Sequence, residues 1–310
     1  MDVLADVLAV AGVRSMLGAR IEAGENWGFD NCGLGTAAFY AVTAGTAWFS
    51  VPDQPPRRLM PGDVLLLPTG IAHTLSSEPG VASLRCDRTS AEHPTACGTV
   101  LRLGSGEIRT QIVAASYEYD PTVSTQVLTL LPEIVHIKAD NGGSCLDDTV
   151  RLLSRELAYP QLAGAVVLNR LVDILLVQLL RVWLHDHPAD TQGSWLGVLG
   201  DPLVSAAMTK LHQDPSRAWT TESLAAELAI SRTTLARRFR TVAGETPGGY
   251  LTRWRMDLAA VRLRDTDDTL DAIARSVGYT SVYAFSRAFR RARDHAPGRY
   301  RIASRAASSE

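Results

Sequence analysis

Cysteine is scarce in this 310-residue chain: four residues, Cys32, Cys86, Cys97 and Cys145, with no CxxC pair. They are too few and too scattered for a disulfide scaffold, and the absence of paired thiols excludes a zinc finger. No apolar run approaches the roughly 18 residues that a membrane span needs. The first ten residues, MDVLADVLAV, carry Asp2 and Asp6 where a secretion signal requires Lys or Arg. G-x-S-x-G, Walker A and G-x-G-x-x-G sequences are also missing, which removes the common nucleophile-elbow and phosphate-cradle chemistries. What remains is ordinary globular material, 46% hydrophobic and 21% charged. At this length it is expected to form about two domains of a cytoplasmic protein without a membrane partner.

Lysine is the next shortage, and it is local. Residues 215–305 contain no Lys but 17 Arg against 9 acidic groups, a balance of +8, whereas residues 1–214 sum to −9. A basic segment joined to an acidic remainder is the footprint of a nucleic-acid-binding domain attached to a non-binding one. Because the cations are all arginine, forked contacts to guanine and phosphate are favoured over diffuse attraction.

Periodicity divides the chain in the same place. From about Gly28 to Ser90 short aromatic and β-branched runs (AAFYAVTAG, TAWFSV, VLLLP) alternate with turns, and TQIVAASYEY adds a further strand. This predicts an antiparallel barrel or jelly roll. After Pro132 the spacing becomes helical, through Cys145–Leu157 and the long apolar stretch Gln161–Leu184. The polar segment HDHPADTQGS starts a linker at 185–200. The expected class is therefore α+β multidomain: a β-barrel with trailing helices over 1–184, then an all-α domain over 201–305.

That last domain repeats itself. At an offset of fifty residues Ser231, Arg237, Phe239, Arg240, Pro247, Gly248 and Tyr250 coincide with Ser281, Arg287, Phe289, Arg290, Pro297, Gly298 and Tyr300. At forty-nine, Leu224, Ala225 and Leu228 coincide with Ile273, Ala274 and Val277. Each copy reads as helix, turn, helix, at about 222–242 and 270–292, with Ser231 and Ser281 as N-caps. Such a tandem, joined by GGYLTRWRMDLAAVRLR and closed by GYTSVYAFSRAFRRARDHAPGRYR, resembles the DNA-binding domain of the AraC/XylS family of transcription regulators. It departs at Arg293, where the family usually has an aromatic residue, and at Asp294, where it usually has Gly. FYAVTAG, PGDVLLLPTGIAH and LNRLVDILLVQLLRVWL in turn resemble a cupin-type sensor domain of the kind found attached to this module.

Helical phase selects the groove-facing side chains. With Leu235 and Phe239 turned to the core, Thr233, Arg237 and Arg240 face outward; Tyr283, Arg287 and Arg290 do so in the second copy, around Phe285 and Phe289. The family resemblance adds Arg232, Ala236, Val282 and Ser286 near the groove. Arg237 and Arg287 are the expected base readers, with Arg240, Arg290 and Arg291 on phosphate. Two recognition helices on one connecting helix (Gly249–Arg264) would enter successive major-groove turns of promoter DNA, about 34 Å apart.

The barrel is expected to take a small-molecule effector, with Trp27, Phe39, Tyr40, Trp48 and His73 as its candidate contacts. In the metal-binding cupins to which the motif is similar, His73 of P-x-G-x-x-H would be the last ligand. Here, however, Tyr40 stands where the first His would fall and Ala44 near the expected Glu, so no metal, cofactor or catalytic residue is assigned. A thiol-based redox or electrophile sensor at Cys86 and Cys97, beside Arg85, Arg88 and His93, is the alternative input; a metal-dependent cupin enzyme is the less favoured reading. Apolar spacing along Gln161–Leu184, through Leu171, Ile174, Leu175, Leu179 and Val182, suggests a homodimer, and a promoter-bound regulator has RNA polymerase as a further partner.

Overall fold

The computed structural model describes residues 3–11, 13–33, 36–86, 100–118, 128–139, 143–159, 161–187 and 195–307, with the side chains of 14–18, 85–86, 118, 129, 143–144, 195 and 307 outside that description. Its elements run, in order, α1 (Val3–Val10), β1 (Arg14–Glu25), β2 (Gly28–Asn31), β3 (Ala37–Ala44), β4 (Ala47–Ser50), β5 (Arg57–Leu59), β6 (Val64–Leu67), β7 (His73–Ser76), β8 (Leu84–Cys86), β9 (Val100–Leu103), β10 (Ser105–Glu118) and β11 (Val135–Ile137). Helices α2 (Gly143–Ala158) and α3 (Gly164–Asp186) follow. The remainder is helical: α4 (Pro202–Gln213), α5 (Thr221–Glu227), α6 (Arg232–Ala243), α7 (Pro247–Asp265), α8 (Leu270–Ser276), α9 (Val282–Arg293) and α10 (Pro297–Ala307).

The strands form two sheets, ordered β11-β6-β3-β10-β1-β9 and β5-β4-β7-β2-β8. One apolar core draws Ile21, Tyr40, Val42, Leu65, Leu67, Leu103 and Ile112 from the first sheet and Phe49, Leu59 and Leu75 from the second. The result is a cupin-like sandwich of two sheets, the jelly-roll side of the barrel-or-jelly-roll expectation. All four residues of β6, VLLL, are buried, as both faces of that strand are covered. Among the residues of α3, Leu168, Leu171, Val172, Leu175, Leu176, Leu179, Leu180 and Trp183 are buried at spacings of three and four. Tyr117 of β10, fully buried, donates its phenol proton to the Val172 carbonyl at 2.9 Å.

The helical unit is built from two helix-turn-helix copies, α5–α6 and α8–α9, each followed by a helix that begins with Pro. The starts of α5 to α9 are capped as the residues dictate: Thr220 with Ser223 in a capping box, Ser231 onto the Thr234 amide, Thr246 onto Gly249, Thr269 onto Ala272 and Ser281 onto Ala284. Phe285 and Phe289 sit in a core with Met256, Leu263, Ile273, Val277 and Tyr300. The two copies need left-handed backbone at equivalent places. In the turn, Ala229 (φ 53°) answers Gly278 (φ 81°); after the recognition helix, Gly244 (φ 77°) answers Asp294 (φ 58°). Asp294 thus ends α9 in the conformation for which the expected Gly is best suited.

Two stretches pack on elements beyond their sequence neighbours. Helix α1 does not belong with the strands that follow it: it packs in the helical unit, against α4 and α7. Asp6 bonds His212 Nδ1 at 3.0 Å, His212 Nε2 lies 2.6 Å from the Tyr250 hydroxyl, and the imidazole stacks on Trp254 at 3.9 Å between ring centres. Of the 185–200 linker, 188–194 lie outside the described residues. Trp195–Gly200 form a 3-10 helix with Leu196 and Val198 buried against α4 and α6, because these apolar side chains find a core there. Strand β11 lies within the stretch expected to be helical after Pro132.

Candidate nucleic-acid interface and sensor cluster

Most arginines of the helical unit are already engaged. Arg238 reaches Asp201 at 2.5 Å, Arg253 reaches Glu245 at 2.6 Å, Arg262 reaches Asp268 at 2.5 Å, and Arg275 and Arg305 pair with Asp271 and Asp267 at 2.8 Å. Arg255 donates to the carbonyls of Pro215 and Arg217. Arg293, at the end of α9, is buried against the fully buried Asp257 of α7, an ion pair standing where the family resemblance led one to expect an aromatic contact.

Five of the six arginines singled out from sequence behave differently. Arg237, Arg240, Arg287, Arg290 and Arg291 are exposed and make no ion pair among the described residues. On α6 and α9 they lie opposite Leu235 and Phe239, and opposite Phe285 and Phe289, which are fully buried. Thr233 is exposed beside Arg237, and Ala236, Val282 and Ser286 are half-buried along the same two helices. Tyr283 is exposed, with the Arg287 guanidinium 5.8 Å from its ring centre. Arg232 departs from the pattern, since it pairs with Glu222 at 2.8 Å. Both partners are exposed, so the pair holds Arg232 by no more than about 1 kcal/mol. Sequence reasoning missed Arg299, exposed on α10 and likewise without an ion pair among the described residues. Its counterpart at the fifty-residue offset is Gly249, which hid it from the repeat.

In the sandwich, Tyr40 and His73 meet edge to face, and Trp27 belongs to the same buried apolar core as Tyr40. His73 is buried, with Nδ1 2.7 Å from the Ile71 carbonyl and Nε2 2.9 Å from the Tyr40 hydroxyl. Since the carbonyl only accepts, Nδ1 carries the proton and Nε2 accepts from the phenol. Asn31 Nδ2 donates to the same phenol oxygen at 3.3 Å. Burial pushes the His73 pKa below its ordinary value, which keeps the ring neutral. Tyr40, standing where a metal-binding cupin has His, thus occupies the nitrogen that a metal would use. Among the described residues no three His, Cys, Asp or Glu gather around a common point.

Phe39 and Trp48 do not join this cluster. Successive strand residues point to opposite faces, so Tyr40 inside places Phe39 on the other side of β3, and Phe49 inside places Trp48 on the other side of β4. The residue missed was Phe49, whose ring lies 5.7 Å from that of His73; strict period-two counting from Tyr40 and Trp48 was the available signal. Trp27 is buried, and its indole nitrogen has no hydrogen-bond partner among the described residues. Cys97, Arg88, His93 and the side chains of Cys86 and Arg85 lie outside the described residues; Cys32 and Cys145 are free and exposed.

Comparison with known proteins bears on both units. The Cupin family matches residues 2–185 and the Helix-turn-helix domain family matches residues 224–303. An AraC-like transcription regulator of Streptomyces lividans is 37% identical over 97% of this chain and 98% of its own length. The HTH-type transcriptional regulator AlkR of Acinetobacter baylyi is 28% identical over 89% of this chain and 90% of its own. The solved DNA-binding domain of AdpA, in complex with a target DNA, aligns with 36% of this chain and 98% of that one at 33% identity and a TM-score of 0.33. No described helix is long and apolar enough to cross a membrane.

Proposed function

Since the chain belongs to the AraC-like transcription regulators, with a cupin domain ahead of a helix-turn-helix domain, we propose that Arg237 and Arg287 are its base-reading residues. The observation that carries this is their state in the free protein. In a unit that neutralises most of its arginines internally, these two remain exposed, without an ion pair among the described residues, at equivalent positions of the two recognition helices. A guanidinium so placed offers its fork to the O6 and N7 of guanine. Arg240, Arg290 and Arg291, nearer the helix ends, take phosphate, with Arg232, Thr233, Ala236, Val282, Tyr283 and Ser286 along the groove walls.

The sandwich is the input. An organic effector, bound non-covalently and without metal, meets the Tyr40–His73 pair and Trp27 of the same core, whose indole N–H has no hydrogen-bond partner among the described residues. The protein acts as a cytoplasmic regulator without a catalytic step of its own, bound to promoter DNA beside RNA polymerase. The homodimer forms through α3. Of the expected stripe Leu171, Leu175 and Leu179 are buried, whereas Ile174 is exposed and, with the exposed Val166 and Val167, is available for pairing.

Titration of the full-length protein against its promoter duplex by fluorescence anisotropy tests the reading. Arg237→Ala and Arg287→Ala each weaken cognate binding by about 1–3 kcal/mol and relax sequence preference, whereas Arg290→Ala weakens all duplexes alike and lowers the salt slope by about one. Unchanged affinity in both Arg237→Ala and Arg287→Ala refutes it.

A further inference from the structure

The two recognition helices differ at the end that leads into the groove. At the fifty-residue offset Arg232, Thr233 and Ala236 of α6 correspond to Val282, Tyr283 and Ser286 of α9. On α6 the leading Arg232 pairs with Glu222, and the residues that follow it on that face ahead of Arg237, Thr233 and Ala236, are small. On α9 the first turn presents Val282 and a tyrosine whose surface is 71% exposed. Ser281 caps the helix through the Ala284 amide, which sets the direction of this first turn before any DNA arrives. Tyr283 and Arg287 are one turn apart, and the guanidinium lies 5.8 Å from the ring centre, so ring and cation share one face.

A single exposed ring elsewhere on a surface would need no explanation. Here it stands one turn before an arginine without an ion pair among the described residues, where the N-terminal residues of a recognition helix meet base edges. The major groove offers one apolar group to such a ring, the C5 methyl of thymine. We propose that Tyr283 is a specificity-determining contact: its ring packs on the methyl of a thymine beside the guanine that Arg287 reads. The second helix-turn-helix then selects a guanine–thymine neighbourhood through an aromatic ring that the first, with Thr233 in the equivalent place, lacks. This rests on the reading of Arg287 as a base contact.

The probe is a duplex enriched from a randomised pool by the full-length protein, in which each thymine is replaced in turn by deoxyuridine, removing only the methyl. At one position of the second half-site the wild type loses affinity about four-fold, the change expected for one buried methyl group. Tyr283→Phe keeps that sensitivity. Tyr283→Ala binds the unmodified duplex more weakly and is indifferent to the replacement, while its thermal unfolding stays that of the wild type. Indifference of the wild type at every thymine of that half-site, or full sensitivity in Tyr283→Ala, overturns the thymine contact while leaving the arginine reading standing. Wild-type binding by Arg287→Ala overturns the arginine reading, and the thymine contact with it.

Discussion

Removing Arg293 should open the second helix-turn-helix copy. Its side chain is 3% exposed and Asp257 is completely buried, so the two charges face each other without water to screen them. Deleting one member of a buried pair costs about 3–5 kcal/mol, because the remaining charge keeps its desolvation penalty and loses its partner. Replacing both by apolar side chains removes the penalty as well, and such replacements are often neutral or better. The Arg293 Nε, buried without a partner, weighs toward the second outcome. The readout is amide hydrogen exchange across α7, α9 and α10 in the full-length protein, since exchange reports local opening. Arg293→Ala is expected to accelerate exchange in these helices by about two orders of magnitude or more, and Arg293→Leu combined with Asp257→Leu to return it to near the wild-type rate. Acceleration below about ten-fold in the single variant, roughly 1.4 kcal/mol, would mean the pair is not a buried one. The same variant should weaken DNA binding at the second half-site more than at the first, since α9 is the helix released.

The left-handed positions make a second test. Ala229→Gly should stabilise the helical unit by about 0.5–1 kcal/mol and Asp294→Gly by less, since Asp tolerates φ near 58° better than Ala does; Gly278→Ala should cost about 2 kcal/mol or more, because its Cβ would lie 2.5 Å from the Ser216 carbonyl, and thermal melts rank the three. Acidification should weaken the sandwich. Burial lowers the His73 pKa, so below about pH 6.5 the unfolded chain binds a proton that the folded one refuses, and the stability present above that value is lost as pH falls toward the folded value. Urea midpoints at pH 7 and pH 5.5 should converge in His73→Gln, and an undiminished pH slope in that variant would place the acid response elsewhere.

What could be read from the sequence was whatever repeats or alternates within a short window. The fifty-residue offset disclosed both helix-turn-helix copies, and the serine caps followed from the residues that begin each recognition helix. That Arg237 and Arg287 make no ion pair among the described residues was not legible, because it depends on where nine acidic groups of the segment find their partners. Nor was the place of α1: an apolar eight-residue run gives no hint that Asp6 meets a histidine 206 positions away. Strand β1, RSMLGARIEAGE, lacks the aromatic and β-branched enrichment that marked its neighbours, and β11 is three residues long. Arg293 was visible as a departure, but only the packing of α9 on α7 supplied the carboxylate that explains it.

The docking of α1 sets an order of events during synthesis. Asp6 leaves the ribosome 206 residues before His212, and Trp254, on which the imidazole stacks, comes later still. At about 5–20 residues per second, the helix waits roughly 10–50 s for its partners. Val3, Leu4, Val7 and Val10, all buried in the finished protein, have no native cover during that interval, although the strands next to them in the chain are already emerging. Helix α1, made before the strands, is thus among the last elements to find its place, and the nascent chain must carry an apolar helix unattached until the DNA-binding unit is nearly complete.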